Sequence, residues 1–364
     1  MRIIETRLAP SRLEFVRPLK TARATYAARE GFLVRLVDEE GRVGQGEAMP
    51  LPEFGTESLD TCERVLRGHL ARLGEQLIAD RLEAIPEVFT EPGTGSSWAP
   101  AAAHAVELAL LDLLAQRRKV PLSQLLEPNA RSEVRVNALL TAEKPEALAE
   151  EARQAVAEGF QTLKLKVAGR RLAEDEARVR AVREAVGSQV NLRLDANGGW
   201  SEGEAAQALD RLSAYRPELC EQPIPANELQ GLGRLQQQAP FPLAADEAIA
   251  SPELFPLLLK TASGVPAARV FVLKPMVLGG LLPALRFAQQ AAQLGLESFV
   301  TSSLDGVVSR AGASHLAAAL PSGRLASGLG VGRLFVREEP PEHPFRPVQG
   351  CIRLPETPGL GLST

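Results

Sequence analysis

The chain has 364 residues and a mass of 39.0 kDa, enough for about two domains. Hydrophobic residues make up 45% and charged residues 24%, so a large core is affordable and wholesale disorder is excluded. Forty-one bases against 45 acids give a net charge of −4, which argues against a nucleic-acid partner. Aromatic residues reach only 4%, so platforms for stacking bases or sugars are scarce. Three scattered cysteines (Cys62, Cys220, Cys351) make neither a disulfide framework nor a CxxC metal site and read as buried, reduced thiols. The N-terminus lacks a signal-peptide core, and no run approaches the ~20 apolar residues of a membrane span. A cytoplasmic protein without a membrane partner is expected.

In chain order, residues 1–125 come first. RIIETRLAPSRLEF, GFLVRLVDEEGRVGQGEAMP and the turn at Glu40-Gly41 predict an antiparallel meander, followed by helices over 58–73 and 100–118. This is an α+β module placed to cap a second domain. Between them, MPLPEFGTES from Met49 has the Pro/Gly make-up of a mobile lid, though a rigid strand-to-helix turn fits it equally.

From residue 126 to 335 short β-rich runs alternate with helical ones. VRVNALL, TLKLKV, NLRLDA, LCEQPI, PLAADE, ARVFVLKP, ESFVTSS and LASGLG begin at 134, 162, 191, 219, 242, 268, 297 and 325. Their centres lie roughly 24–29 residues apart, the length of one strand, loop and helix. Amphipathic segments such as PEALAEEARQAVAEG fill the intervals, and Ser201 with Glu204 forms a capping-box pattern. Eight such units predict an α/β fold: a modified TIM barrel, (β/α)7β-like, with the N-terminal α+β domain over one end. The Pro/Gly-rich tail, about 336–364, is expected to pack back onto that domain.

Polar residues sit at the C-terminal ends of strands whose interiors should be apolar. Lys164 and Lys166 share a face by the period-two rule, as do Arg193, Asp195 and Asn197. Glu221 ends the fourth run, Asp246 and Glu247 the fifth, Lys274 the sixth, and Ser302 and Ser303 the seventh. Any one of these could simply meet solvent. A set on six consecutive strands is another matter, because barrel active sites are built on that rim.

Asp195, Glu221 and Asp246 lie on consecutive strands, where bare carboxylates would repel and raise each other's pKa. A divalent cation removes the conflict, and an all-oxygen set favours Mg²⁺, with Mn²⁺ possible, over zinc. The four histidines (His69, His104, His315, His343) fall elsewhere. A lysine desolvated among cations is expected to have its pKa lowered towards neutrality, making it a usable base. Lysine plus cation is the arrangement needed to remove a proton α to a carboxylate, so the expected partner is a small-molecule carboxylate.

KLK at 164–166, DANGGW at 195–200, EQPIP at 221–225, ADEA at 245–248 and LKP at 273–275 together resemble the enolase superfamily, in particular its muconate-lactonising subgroup. Within it, VNALL from Val136, LRLDANGGW from Leu192, KPMVLGG from Lys274 and SSLDGVVSRAGASHLAAAL from Ser302 resemble the o-succinylbenzoate synthase family. That resemblance implies a hydro-lyase of menaquinone or phylloquinone synthesis, which removes water in syn fashion from 2-succinyl-6-hydroxy-2,4-cyclohexadiene-1-carboxylate. By carry-over Lys166 abstracts the α-proton, Lys274 steadies the enediolate as a cation, and Lys164 holds the substrate carboxylate. Asp195, Glu221 and Asp246 ligate Mg²⁺, with Asn197, Glu247 and Arg193 behind them and Ser302 and Ser303 near the succinyl arm.

The same lysines and metal serve N-succinylamino acid racemisation and muconate cycloisomerisation, so these remain the alternative. Dipeptide epimerases resemble one another in an acidic DxD on the last barrel strand. Here that stretch reads ASGLGVGRLF, from Ala326, without an acid, so a dipeptide epimerase is not expected.

Overall fold

The computed structural model describes residues 1–20, 25–74, 77–89, 99–250, 254–336 and 342–363. The chain opens on a meander of β1 (Ile3–Lys20), β2 (Thr25–Asp38) and β3 (Val43–Ala48), paired antiparallel in that order. Two long helices follow. In α1 (Leu59–Leu73) the apolar residues fall on one stripe, and Ser58 caps it by accepting from the Thr61 amide. By contrast α2 (Pro100–Arg118) is buried almost all round, because it lies between the meander and the barrel.

The barrel follows as strand–helix units. Its strands are β4 (Ala138–Leu140), β5 (Thr162–Lys166), β6 (Asn191–Asp195), β7 (Leu219–Glu221), β8 (Leu243–Ala245), β9 (Val270–Leu273) and β10 (Glu297–Val300). All seven pair in parallel, each with its sequence neighbour. The main outer helices are α3 (Pro145–Ala157), α4 (Leu172–Val186), α5 (Glu202–Leu212), α6 (Leu229–Gln238), α7 (Leu281–Gln293) and α8 (Val307–Ala319). The capping box predicted at Ser201 and Glu204 is present at the start of α5.

Two expected strands take another form. The run 134–140 divides: Glu133–Arg135 pairs antiparallel with Cys351–Arg353 of the tail, and only 138–140 joins the barrel. The eighth run makes no full strand but closes the ring by single parallel bridges, Val136 to Ser327 and Thr301 to Gly328. Gly328 permits that approach, since a Cβ there would lie 2.3 Å from Thr301 Oγ1. In the tail, Val336 donates to Glu14 O and the Leu360 amide to Asp112, while residues 337–341 lie outside the described part.

Acidic side chains on helix N-termini lock the two layers together. Glu47, on β3, accepts from the Ser309 amide at the start of α8. Glu107, on α2, accepts from the Leu281 and Leu282 amides that open α7. Each carboxylate satisfies orphan donors and meets the positive end of the helix. Gly306 makes room for the first cap, because a Cβ there would stand 1.8 Å from Glu47 Oε1. Gly306→Ala is therefore expected to cost about 2–4 kcal/mol, combining a clash with a broken cap. Urea unfolding checks this; an unchanged midpoint would show that the contact yields freely.

His104 and His315 are buried and structural. His104 meets Ser309, and His315 lies between the Ser123 amide and Leu360 O. Burial depresses both, to about 3 and about 4 respectively, so they stay neutral. No helix among the described residues is long and apolar enough to cross a membrane.

Candidate active site

Strand alternation builds the site. In β5, Leu163 and Leu165 are fully buried towards the helices, which turns Lys164 and Lys166 to the inside of the ring. In β6, Leu192 and Leu194 do the same for Arg193 and Asp195. The parallel register sets Lys166 beside Asp195 and Asp195 beside Glu221. Asp246 follows the end of β8, and Lys274 follows the end of β9.

At this rim acids and bases alternate. Lys164 Nζ lies 2.9 Å from Asp195 Oδ2 and 2.7 Å from Glu221 Oε1. Lys166 Nζ is 3.5 Å from Asp195 Oδ2 and donates to Asn197 Oδ1. Lys274 Nζ contacts both Asp246 oxygens, at 2.5 and 2.7 Å. Asn197 in turn donates to Glu247 Oε1 at 3.1 Å, so the supporting pair predicted from sequence is joined. Arg193 pairs with Glu218 at 2.5 Å, donates to Ala326 O and lies over the Phe299 ring, one layer below the acids.

The two candidate bases differ in access. The Lys166 side chain is 41% exposed and opens on a cavity of about 880 Å³, lined by Phe15, Leu139, Thr141, Asn197 and Arg333. Lys274 is 8% exposed, and the Phe54 ring covers it with its centroid 5.1 Å from Nζ. Because β5 and β9 are four places apart in a ring of eight, the two lysines approach from opposite sides.

Electrostatics correct one expectation. Burial disfavours charge on Lys164 and Lys274, but the surrounding acids outweigh it and raise both above the ordinary lysine value rather than lowering them. Among the acids, burial raises Glu221, and with Asp195 and Asp246 nearby it ends at about 8 despite Lys164. Burial also works against charge on Asp195, yet Lys164 and Lys166 bring it down to about 2.

Among the described residues no three acids already close on one point, because lysines occupy the intervals between them. The donor set nonetheless fits a hard divalent cation. Buried Glu221 Oε2 and Glu247 Oε2 have no partner within the protein, and the like-charge conflict at Glu221 is the kind a cation relieves.

The serines are less available than expected. Ser302 Oγ is engaged in a turn, donating to Asp305 Oδ2 at 3.3 Å and accepting from the Asp305 amide at 3.0 Å. Ser303 Oγ is buried without a partner. Gln222 was not singled out from sequence, yet its Oε1 accepts from the Asp246 and Ala248 amides and so orients Asp246. Its neighbour Glu221 was the only available signal. Phe54 was likewise legible only as part of a loop.

Known families match both halves. Residues 3–127 match the N-terminal domain of mandelate racemase and muconate lactonizing enzyme, and residues 147–364 match the enolase C-terminal domain-like family. The chain belongs to the enolase superfamily. Its muconate-lactonising subgroup supplies the relatives. The L-Ala-D/L-Glu epimerase of Bacillus subtilis is 34% identical over 322 residues, covering 87% of this chain and 85% of that protein. The N-succinyl-L-Arg/Lys racemase of Bacillus cereus is 28% identical, covering 100% and 95%. Among solved structures, the dipeptide epimerase of Enterococcus faecalis V583, complexed with Mg and the dipeptide L-Leu-L-Tyr, superposes with a TM-score of 0.89 at 29% identity over the whole of both chains. As a superfamily member this chain is an enzyme, and it shares the epimerase, racemase and cycloisomerase kinship rather than a demonstrated hydro-lyase one.

Proposed function

We propose that this protein racemises N-succinylamino acids by removing and returning the proton α to the carboxylate. The observation that carries this reading is the pair Lys166 and Lys274, facing one another across the ring. One lysine takes the α-proton from one face, and the other delivers a proton to the opposite face, inverting the centre. Asp195, Glu221 and Asp246 would hold Mg²⁺, and Lys164 would pair with the substrate carboxylate. When bound, the cation would supply positive charge where the carboxylate gains negative charge in the transition state. Residues 326–330 carry no acid to receive a substrate ammonium, which favours an acylated amine over a free dipeptide.

A second reading is the syn-dehydration of 2-succinyl-6-hydroxy-2,4-cyclohexadiene-1-carboxylate. The unequal lysines favour it, because one accessible base, Lys166, can serve as base and then as acid, with Lys274 only a covered cation.

The deciding experiment follows α-proton exchange in D₂O for both enantiomers of a set of N-succinylamino acids, beside an ultraviolet assay with the cyclohexadiene. The racemase reading expects both enantiomers to exchange in the wild type and only one in Lys274→Ala. Dehydration without any racemisation would replace it by the second reading. Turnover of unacylated dipeptides alone would overturn both.

A further inference from the structure

Arg29, on β2 of the meander, is only 4% exposed, and no hydrogen bond joins its guanidinium to a carboxylate. Its three recorded bonds all go to backbone carbonyls. Nη2 donates to Met49 O at 2.6 Å, Nη1 to Pro50 O at 3.1 Å and Nε to Leu304 O at 3.2 Å. The acceptors belong to two separate loops that wall the rim.

The first loop, residues 49–57, carries the Phe54 ring over Lys274. It is anchored further by the Met49 amide on Met276 Sδ and by Thr56 Oγ1, which accepts from the Leu51 amide. The second loop carries Ser302 and Ser303. In it Leu304 adopts φ 62°, a left-handed conformation that a branched aliphatic residue holds only under outside constraint. A planar, five-donor group can bind carbonyls from two directions at once, which an ammonium cannot do with the same geometry. Asp305, buried beside this loop, adds a favourable field for the cation.

We propose that Arg29 is a positioning residue that staples the 49–57 loop to the 302–305 loop and thereby holds Phe54 in place over Lys274. The capping domain thus sets the environment of one of the two bases from outside the barrel. Loss of the staple affects the Lys274 face of the site more than the Lys166 face, since Lys166 opens on the cavity and has no such cover.

The test compares wild type, Arg29→Met and Arg29→Lys, all with Mg²⁺ present and with folding checked by circular dichroism. Hydrogen–deuterium exchange should rise about tenfold in 49–57 and 302–305 together in Arg29→Met, with β5 and β6 unchanged. Arg29→Lys should fall between, and it is the variant to read if Arg29→Met does not fold. Faster exchange in only one loop, or confined to β2, would overturn the staple. Its consequence for chemistry rests on the racemase reading: exchange of the enantiomer served by Lys274 should fall at least tenfold more than that served by Lys166. Equal losses in step with the unfolded fraction would reduce Arg29 to a fold element. If the wild type acts on no acylamino acid, that reading fails, while the deuterium data still decide the staple.

Discussion

Replacing Lys166 by alanine is expected to lower turnover by about 10³-fold or more while leaving the protein folded, since a positioned base contributes at least that order. The fold is safe because β5 packs through Leu163 and Leu165, whereas the Lys166 side chain is 41% exposed at the strand end. Its removal frees Asn197 Oδ1 and one contact to Asp195, and Lys164 still neutralises that carboxylate. Polarimetry measures turnover, and circular dichroism confirms the fold. A variant that keeps a tenth of wild-type activity would remove Lys166 from the role of base.

Mg²⁺ binding is the second large effect. Glu221, raised to about 8 chiefly by burial, is largely protonated at pH 7, and a carboxylate must ionise to ligate a cation. Binding at pH 7 should therefore release a proton. Below about pH 8 the apparent affinity should fall by up to tenfold for each unit of pH, and above it the affinity should level off. Glu221→Gln should weaken binding by about 100-fold and abolish the proton release, because the amide has no proton to lose and donates where a ligand must accept. Calorimetric titration in two buffers of different ionisation enthalpy measures both. Proton-neutral binding in the wild type, or unchanged affinity in the variant, would take Glu221 out of the ligand set.

Much of this was legible in the chain because barrel strands obey a strict alternation. Lys164, Lys166 and Asp195 could be placed on the inner face from spacing alone, and the structure sets them within 3.5 Å of one another. Arg193 was likewise expected inside the ring and is found there on Glu218. The serines misled, since a hydroxyl at a strand end is equally able to close its own turn, as Ser302 does with Asp305. The lysine pKa values misled as well. Their sign depends on whether acids or cations stand nearer, and that is a distance no spacing rule supplies.

The sequence by itself determined the barrel, the order of charged residues around its rim and the chemistry that three acids between two lysines allow. Those follow from periodicity, which acts along the chain. Only the tertiary structure decided that Lys274 is covered and Lys166 open, that Gln222 orients Asp246, and that Arg29 reaches two loops of the rim. Each of these joins residues from different elements, Arg29 and Leu304 being 275 positions apart. Hydrogen bonds and ring contacts act over a few ångströms of space, so they come into being only when the chain has folded.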